Sequence, residues 1–428
     1  MSEKGNITKF RCVETCPPSI ITKEETAATK QYNQDIPFIP FGSDNLFPQC
    51  LAAIKRKAAI HNSIISWKTT YMIGSSVQET GNINLDDWIK DVDGKGHGLQ
   101  YIAERHFEDD NTFGNLYQIF ITDKRRTFIN FTHMQSAKAR WARDENAILF
   151  HPDWLRYNTS DKDLITKIPV YPEFGEIEGS PFLYSCVPLA DYEPEFQKYG
   201  LPTYVAGLNT IAISYKTDIW NESRLDNSFQ PSGILEASVG SDDEAKDLVA
   251  NAKKTYSGEG NNSKLLVVAK EPGAESATSF TPFLQNSEGE FVNIHEISTN
   301  DQVTAHKWFK SLAGIAQNTG FEEGGKLMLT EFSVAVTKVI TPKQKKYLEP
   351  IKMVLKDFGF DPTAVDELKF LNEPPVSAVV QEIDINKVLT KGEARELLGL
   401  SNDNMTEQEK NEPIDNGKSS KNGDNNKQ

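Results

Sequence analysis

Residues 199–235, YGLPTYVAGLNTIAISYKTDIWNESRLDNSFQPSGIL, decide how the rest of the chain is read. Gly200 breaks the element before it, and Pro202 suits a first helical turn, where a missing backbone donor costs nothing. Val205, Leu208, Ile211, Ala212, Tyr215, Ile219 and Leu225 recur at steps of three, four or their sums. That spacing predicts a helix of about 25 residues, or about 40 Å, with one continuous apolar stripe. Ile213 and Trp220 fall off the stripe, so a second face is apolar too, and such a helix needs more than one neighbour. The polar run Asn221 to Asn227 frays it, and Phe229-Gln-Pro-Ser-Gly turns the chain before Ile234-Leu235 begin an extended segment.

The segment that follows reads as a compact β-α-β unit from about 230 to 285. Ile234-Leu-Glu-Ala is one strand and Leu265-Leu-Val-Val-Ala a second. Between them Ser241-Asp-Asp-Glu244 forms a capping box, and Ala245, Leu248, Val249, Ala252 and Tyr256 share one face of the helix it starts. Thr299 or Asn300 caps a further helix whose apolar side is Val303, Trp308, Phe309, Leu312 and Ile315. Ala316 to Lys326 is polar and Gly-rich and reads as a mobile loop. A helix is then expected from about Leu329 to Phe358, bent where Pro342 and Pro350 remove backbone donors.

Upstream, residues 1–40 read as an extended arm, Leu46 to Ile73 as one helix or a helix pair ending at Gly74, and Leu85 to Phe107 as helical. Phe113 to Ile121 is β-rich, with Asp123-Lys-Arg-Arg as the turn into Thr127 to Phe131, and strand-type pieces continue through 148–150 and 168–171. Downstream, Val388 to Leu400 is a short helix capped by Thr390 and Glu393 and stopped at Gly399, and residues 401–428 lack the apolar content needed to fold.

The chain has 428 residues, 38% hydrophobic and 25% charged, enough for two or three domains with substantial cores. No apolar run reaches the length of a membrane span, and MSEKGNITKF is not a secretory signal, so no membrane association is expected. Cys12, Cys16, Cys50 and Cys186 are too few and scattered for a disulfide framework, and no His or Cys pair completes a metal site with Cys12 and Cys16. The formal charge of −15 argues against a surface that grips nucleic acid everywhere, since that requires many Lys and Arg contacts to phosphate. The basic clusters at 55–57, 124–126 and 343–346 read as solvated faces or turns.

Gly320-Phe-Glu-Glu-Gly-Gly-Lys326-Leu327 nearly matches a phosphate-binding loop. Leu327 has no hydroxyl for Mg²⁺, however, and Glu322 and Glu323 would repel phosphate. There is no nucleophile elbow, H-E-x-x-H helix or C-x-x-C pair. His295 and His306 read as solvated or hydrogen-bonded rather than as ligands. No catalytic residue, cofactor or metal is expected.

Three stretches resemble the portal proteins of tailed bacteriophages, in the group of short, HK97-like or PBSX-like portals. They are Gly114-Asn115-x-Tyr117; the Tyr-Gly-x-Pro start of the 199–235 helix with its Asn-rich end and Pro-Ser-Gly-Ile-Leu; and Leu-Thr-x-x-Glu-Ala-Arg-x-x-Leu-Gly at 389–399. The resemblance covers about residues 45–400. It implies an α+β portal-type fold: an N-terminal arm (1–40), an α/β wing (41–201), a first stem helix (202–228), a β-α-β clip (229–290) and a second stem helix (291–316). A tunnel loop (317–330), a long wing helix with the segment after it (331–384), a crown helix (385–400) and a disordered tail (401–428) complete it.

It further implies a homo-oligomeric ring of twelve subunits at one vertex of the phage head, a structural component of the virion assembled in the host cytoplasm. Its expected partners are the terminase large subunit, the major capsid and scaffold proteins, a head-tail adaptor, and double-stranded DNA passing without sequence preference. Gln317, Asn318 and Lys326 become the expected DNA-proximal tunnel-loop residues. Pro231, Ser232, Gly233, Ser241 and Glu244 become the expected partner surface of the clip. The acidic balance predicts a channel lining that is acidic or neutral with at most one basic band, so that DNA slides. The readings from other classes are a nucleic-acid enzyme such as a nuclease or packaging ATPase, and a head-tail connector without a stem.

Overall fold

The computed structural model describes residues 36–375 except 43, 158–163, 195, 227–232, 239–242, 244–245, 248–265, 271–278, 283–287 and 316–320, together with residue 410. The fold mixes helices and sheets. Helices α1 (Phe47–Lys57) and α2 (Ala59–Ile73) are separated only by Ala58, whose extended ψ of 105° breaks the hydrogen-bond ladder, so the expected helix or pair is a pair. A two-residue strand β1 (Ser76–Val77) and helix α3 (Ile83–Lys90), capped by the Asn82 side chain, lead to α4 (Leu99–Phe113).

Strand β2 (Asn115–Thr122) follows directly and is the centre of a four-stranded antiparallel sheet. Its neighbours are β3 (Asn130–His133) on one side and β8 (Leu183–Ala190) on the other, with β7 (Gly175–Glu176) beyond β8. Seven of its eight residues are buried, as a strand covered on both faces should be. The Asp123 turn is fixed by its carboxylate, which accepts from the Thr127 backbone and hydroxyl at 2.7 Å each. A second sheet orders β4 (Ala139–Trp141), β5 (Ala147–Phe150) and β6 (Thr166–Pro169).

Two rods and a small sheet come next. Helix α5 spans Leu208–Asp226, β9 spans Gly233–Ser238, β10 spans Leu266–Lys270, β11 spans Ser279–Pro282, and helix α6 spans Glu288–Ala305. β9 pairs in parallel with β10 and antiparallel with β11. A parallel pair this close in sequence needs a crossover, which is what the sequence expected of 241–256; of that span only Asp243, Lys246 and Asp247 are described, and all three are helical.

Helix α7 (Phe321–Ala335) then runs through a π-helical turn at Val336–Ile340 into α8 (Thr341–Asp357), followed by α9 (Pro362–Glu367) and β12 (Phe370–Leu371), which pairs with β1. The main core joins α2, α4, β2, β3 and α8 through Ile64, Phe107, Phe120, Phe131, Tyr347 and Ile351.

Three expectations shift. The second rod is not a helix beginning at Thr299 or Asn300 and reaching 316; it begins at Glu288 and ends at Ala305. Thr299 lies in its interior, where its hydroxyl donates to the His295 carbonyl at 2.8 Å rather than capping an end. Lys307 takes a left-handed φ of 51°, and Trp308, 4% exposed, turns into the main core outside any helix.

The Gly-rich run expected to be a loop through residue 330 is helical from Phe321, eight residues before the expected helix start. That also removes the loop conformation a phosphate cradle would need. Finally, the long helix expected to bend at Pro342 carries a π turn just ahead of that proline, in which the Thr341 N–H reaches back five residues to the Val336 carbonyl.

Candidate channel helices and their anchorage

Two of the stretches singled out in the sequence interlock at the base of α5. Gly114 ends α4 with a left-handed φ of 70°, and its α-carbon faces the Leu201 carbonyl so closely that a Cβ there would lie 2.4 Å from the carbonyl carbon. Asn115 then donates from Nδ2 to the Phe113 and Gly200 carbonyls and accepts the Gly200 N–H on Oδ1, all at 2.8 Å. Gly200 sits in the same crevice, where a Cβ would come within 2.4 Å of the Asp191 carbonyl oxygen. Tyr199 stacks on Phe41 with ring centres 4.2 Å apart, and its hydroxyl donates to the Ile39 carbonyl and accepts from the Trp141 N–H. Gly-Asn at the start of a central strand and Tyr-Gly before a helix therefore form one joint between sheet and rod.

A second joint fastens the feet of both rods to α2. The Tyr204 hydroxyl donates to the Thr112 carbonyl at 2.6 Å, while its ring packs on His306 and edge-on against His61. His61 Nδ1 and His306 Nε2 share a proton at 2.9 Å. Burial holds His61 down to about 3 and His306 well below the ordinary imidazole value, so both rings are neutral near pH 7. His306 is thus the hydrogen-bonded histidine the sequence suggested, whereas His295 is exposed on α6. Lys68 on α2 donates to the His306 carbonyl at 3.1 Å; burial, then the nearby Lys343, lower its ammonium to about 8.

Lys343 on α8 ties in the remaining elements. It meets Asp110 at 2.7 Å and Asp191 at 2.5 Å, and its neighbour Lys346 donates to the Ala190 carbonyl. Burial opposes the charge of Lys343, but Asp110 and Asp191 outweigh it and hold the ammonium above its usual value. Burial likewise lifts the Asp110 carboxyl, with Lys343 pulling the other way.

The rods themselves pack as an antiparallel pair. Gly207 meets Ala305 so closely that an added Cβ would fall 2.7 Å from the Ala305 Cβ, and Ser298 Oγ donates to the Thr210 carbonyl at 3.0 Å. Their facing surface is small and polar: Ser214 and Thr217 on α5, Ser298, Thr299 and Gln302 on α6, all buried. The stripe read from the sequence is therefore split. Leu208 and Ile211 are buried near the base, but Ala212, Tyr215 and Ile219 are only half-buried, and Ile213 is 47% exposed. On α6 every residue from Asn293 to Ile297 is exposed, with Ile294 at 39% and Ile297 at 59%.

Of the site residues expected from the sequence, Gly233 opens β9 and Lys326 is exposed on α7. Pro231, Ser232, Ser241, Glu244, Gln317 and Asn318 lie outside the described residues, as do Cys12, Cys16, the crown helix and most of the arm and tail. Cys50 and Cys186 are buried. Among the described residues no helix is long and apolar enough to cross a membrane, and no cluster of His, Cys, Asp or Glu has the makings of a metal site. The sequence reading missed the Asn115–Gly200 and His61–His306 contacts, because their partners lie 85 and 245 positions apart. The available signal was chemical: a Gly-Asn and a Tyr-Gly that local structure alone did not require.

No protein-family model matches the chain, and no curated protein matches it. Among solved structures it is similar to the neck of an empty GTA (gene transfer agent) particle computed with C6 symmetry, at 13% identity and a TM-score of 0.49, over 89% of this chain and 99% of that one. The neck of a native GTA particle computed with C12 symmetry is similar at 15% identity and a TM-score of 0.48, over 83% and 94% of the two chains. An HK97-family phage portal protein from Corynebacterium diphtheriae is similar at 11% identity and a TM-score of 0.43, over 77% and 98%.

Proposed function

We propose that this chain is a portal protein: one subunit of a closed ring that forms the DNA channel at a phage head vertex, serves genome packaging and ejection, and presents a platform for head-tail connection. The observation that carries the reading is the rod pair α5–α6. It is anchored at one end by the Tyr204, His61 and His306 joint, carries the β9-β10-β11 sheet between its other ends, and leaves Ile213, Ile294 and Ile297 exposed along its sides. Apolar side chains on several faces of a rod are what neighbouring copies in a ring would cover, each copy offering one patch and receiving another. In this reading the rods line the channel, the small sheet is the clip that meets the terminase large subunit during packaging and a head-tail adaptor afterwards, and the wing faces scaffold and major capsid protein. A ring of twelve copies follows the family analogy.

The deciding experiment is the mass of the purified full chain in solution, alone and with scaffold and shell protein. A species of several hundred kilodaltons with ring-shaped particles in negative stain is expected. A 48.0 kDa monomer under every condition overturns the reading. ATPase and nuclease assays on the same material test the enzyme alternative, and turnover in either would displace the structural role.

A further inference from the structure

Resting on the portal reading, we infer that two different faces of the rod pair meet between neighbouring copies and are matched by charge. The face with Ile213, Lys216 and Asp301 on one copy seats on the next copy's face with Asp218, Glu222 and the basic end of α1. The first face follows from the register of the rods. Gly207 against Ala305, and the Thr210 carbonyl against Ser298, set Ile213 level with Ile297. On α5 Ile213 is turned about a quarter turn from the buried Ser214 and Thr217, and on α6 Ile297 is turned about as far, in the same sense, from the buried Ser298 and Gln302. In an antiparallel pair, equal sense of rotation puts both on one side. The exposed isoleucines of the two rods therefore form a single patch. Exposed Lys216 borders it toward the small sheet, and exposed Asp301 borders it toward the anchored feet.

The second face lies on the other side of α5. Asp218 is rotated by about 200° from Lys216, and Glu222 by about 180° from Ile213, and both acids are exposed. Half-buried Tyr215 shares their side, and Lys57 Nζ lies 5.2 Å from the centre of its ring, so the end of α1 reaches this face. Arg56 and Lys57, both exposed, are its cations. Glu296, exposed on the outer edge of α6, adds a further acid near the level of Lys216. Among the described residues, Arg56, Lys216, Asp218, Glu222 and Asp301 form no ion pair within the subunit.

The two faces carry their charges in opposite order. From the small sheet toward the feet, the first runs from Lys216 to Asp301 and the second from Asp218 and Glu222 to Arg56 and Lys57. A copy displaced sideways, as in a closed ring, thus brings the lysine of one rod pair to the acids of the next, and the aspartate to the α1 cations. Between them the isoleucine patch covers Tyr215 and Ile219, which the lone subunit leaves half-buried. Apolar contact holds the copies together, and charge selects the neighbour and its height.

The test is sedimentation of three full chains, singly and mixed: the parent, Lys216→Glu, and the double variant Asp218→Lys with Glu222→Lys. Each variant alone presents one sign on both faces, so the concentration at half-assembly should rise about tenfold or more. An equal mixture of the two sets acidic faces on basic ones and should return to within about threefold of the parent. Lys124→Glu, at the exposed β2–β3 turn, should assemble like the parent. A two-fold dimer through the isoleucine patch alone would leave the Asp218, Glu222 variant assembling normally, and that result overturns the inference. So does a mixture that assembles no better than its components. If a reversal unfolds the chain, the parent decides: its half-assembly concentration should rise as salt screens the pairs, and assembly indifferent to salt refutes the match. A parent ring with indifferent variants refutes this contact alone, whereas a parent that stays monomeric refutes the portal reading and the contact together.

Discussion

The joint at Asn115 and Gly200 and the rod pair α5–α6 are built on opposite terms. At the joint every polar group named finds its partner within the chain: Asn115 makes three hydrogen bonds at 2.8 Å, and Tyr199 uses its hydroxyl as both donor and acceptor. Along the rods Ser214, Thr217, Ser298, Thr299 and Gln302 are buried, whereas Ile213, Ile294 and Ile297 are exposed. The first arrangement is complete in one subunit. The second leaves apolar area in water that only another molecule can remove, at about 25 cal/mol per Å² covered. Stability and assembly are thereby assigned to different residues, and substitutions should separate them.

The largest effect is expected at the joint. Gly200→Val places atoms where the Asp191 carbonyl already lies within 2.4 Å of a bare Cβ, and it should cost more than about 4 kcal/mol or abolish soluble expression. Denaturant unfolding of Gly200→Ala, the milder change, gives the figure if the larger one does not fold. Lys343→Met comes next, at about 3–5 kcal/mol, because it strands Asp110 and Asp191 in a partly dry site. A destabilisation below about 1 kcal/mol would mean that water reaches those carboxylates.

Lys68→Met should behave differently from Lys343→Met although both remove a buried ammonium. Lys68 donates to the His306 carbonyl, and its ammonium is held down to about 8 from an ordinary 10.5. Between those values the unfolded chain binds the extra proton, so stability rises with pH across that window, by an amount on the order of 3 kcal/mol. The Met variant should therefore match or exceed the parent near pH 7, and the difference between the two should shrink as pH rises from 8 to 10.5. Parallel stability curves would refute the shift.

The smallest effect on folding, and the largest on assembly, is expected on the rods. Ile213→Lys and Ile297→Lys should change unfolding free energy by no more than about 0.5 kcal/mol, since both side chains are exposed in the subunit. Sedimentation should nonetheless show that the ring no longer forms. Variants that assemble normally would place the subunit contact elsewhere and erase the contrast between joint and rods.

Local pattern was enough to read much of this molecule. Apolar spacing predicted α5 and α8, the β2 strand, strand pieces at 148–150 and 168–171 that overlap β5 and β6, and the strands β9 and β10, because each is a short-range choice made by neighbouring side chains. Where two local signals competed, the wrong one looked stronger. Thr299 and Asn300 look like caps yet lie inside α6, and the residues from 288 to 305 offer no single apolar stripe to correct the impression. Gly324 and Gly325 look like a loop, although Met328, Phe332, Val336 and Val339 already carry a helical period into α7.

The amino-acid order by itself determined which segments are rods and strands, the net charge and the motifs that resemble a portal. Only the tertiary structure decided which groups meet: Asn115 with Gly200, His61 with His306, and Lys343 with two aspartates. The reason is physical. Periodicity is set by backbone geometry within a turn or two, whereas a buried hydrogen bond between residues far apart in sequence depends on where every intervening element has packed, and no local pattern carries that information.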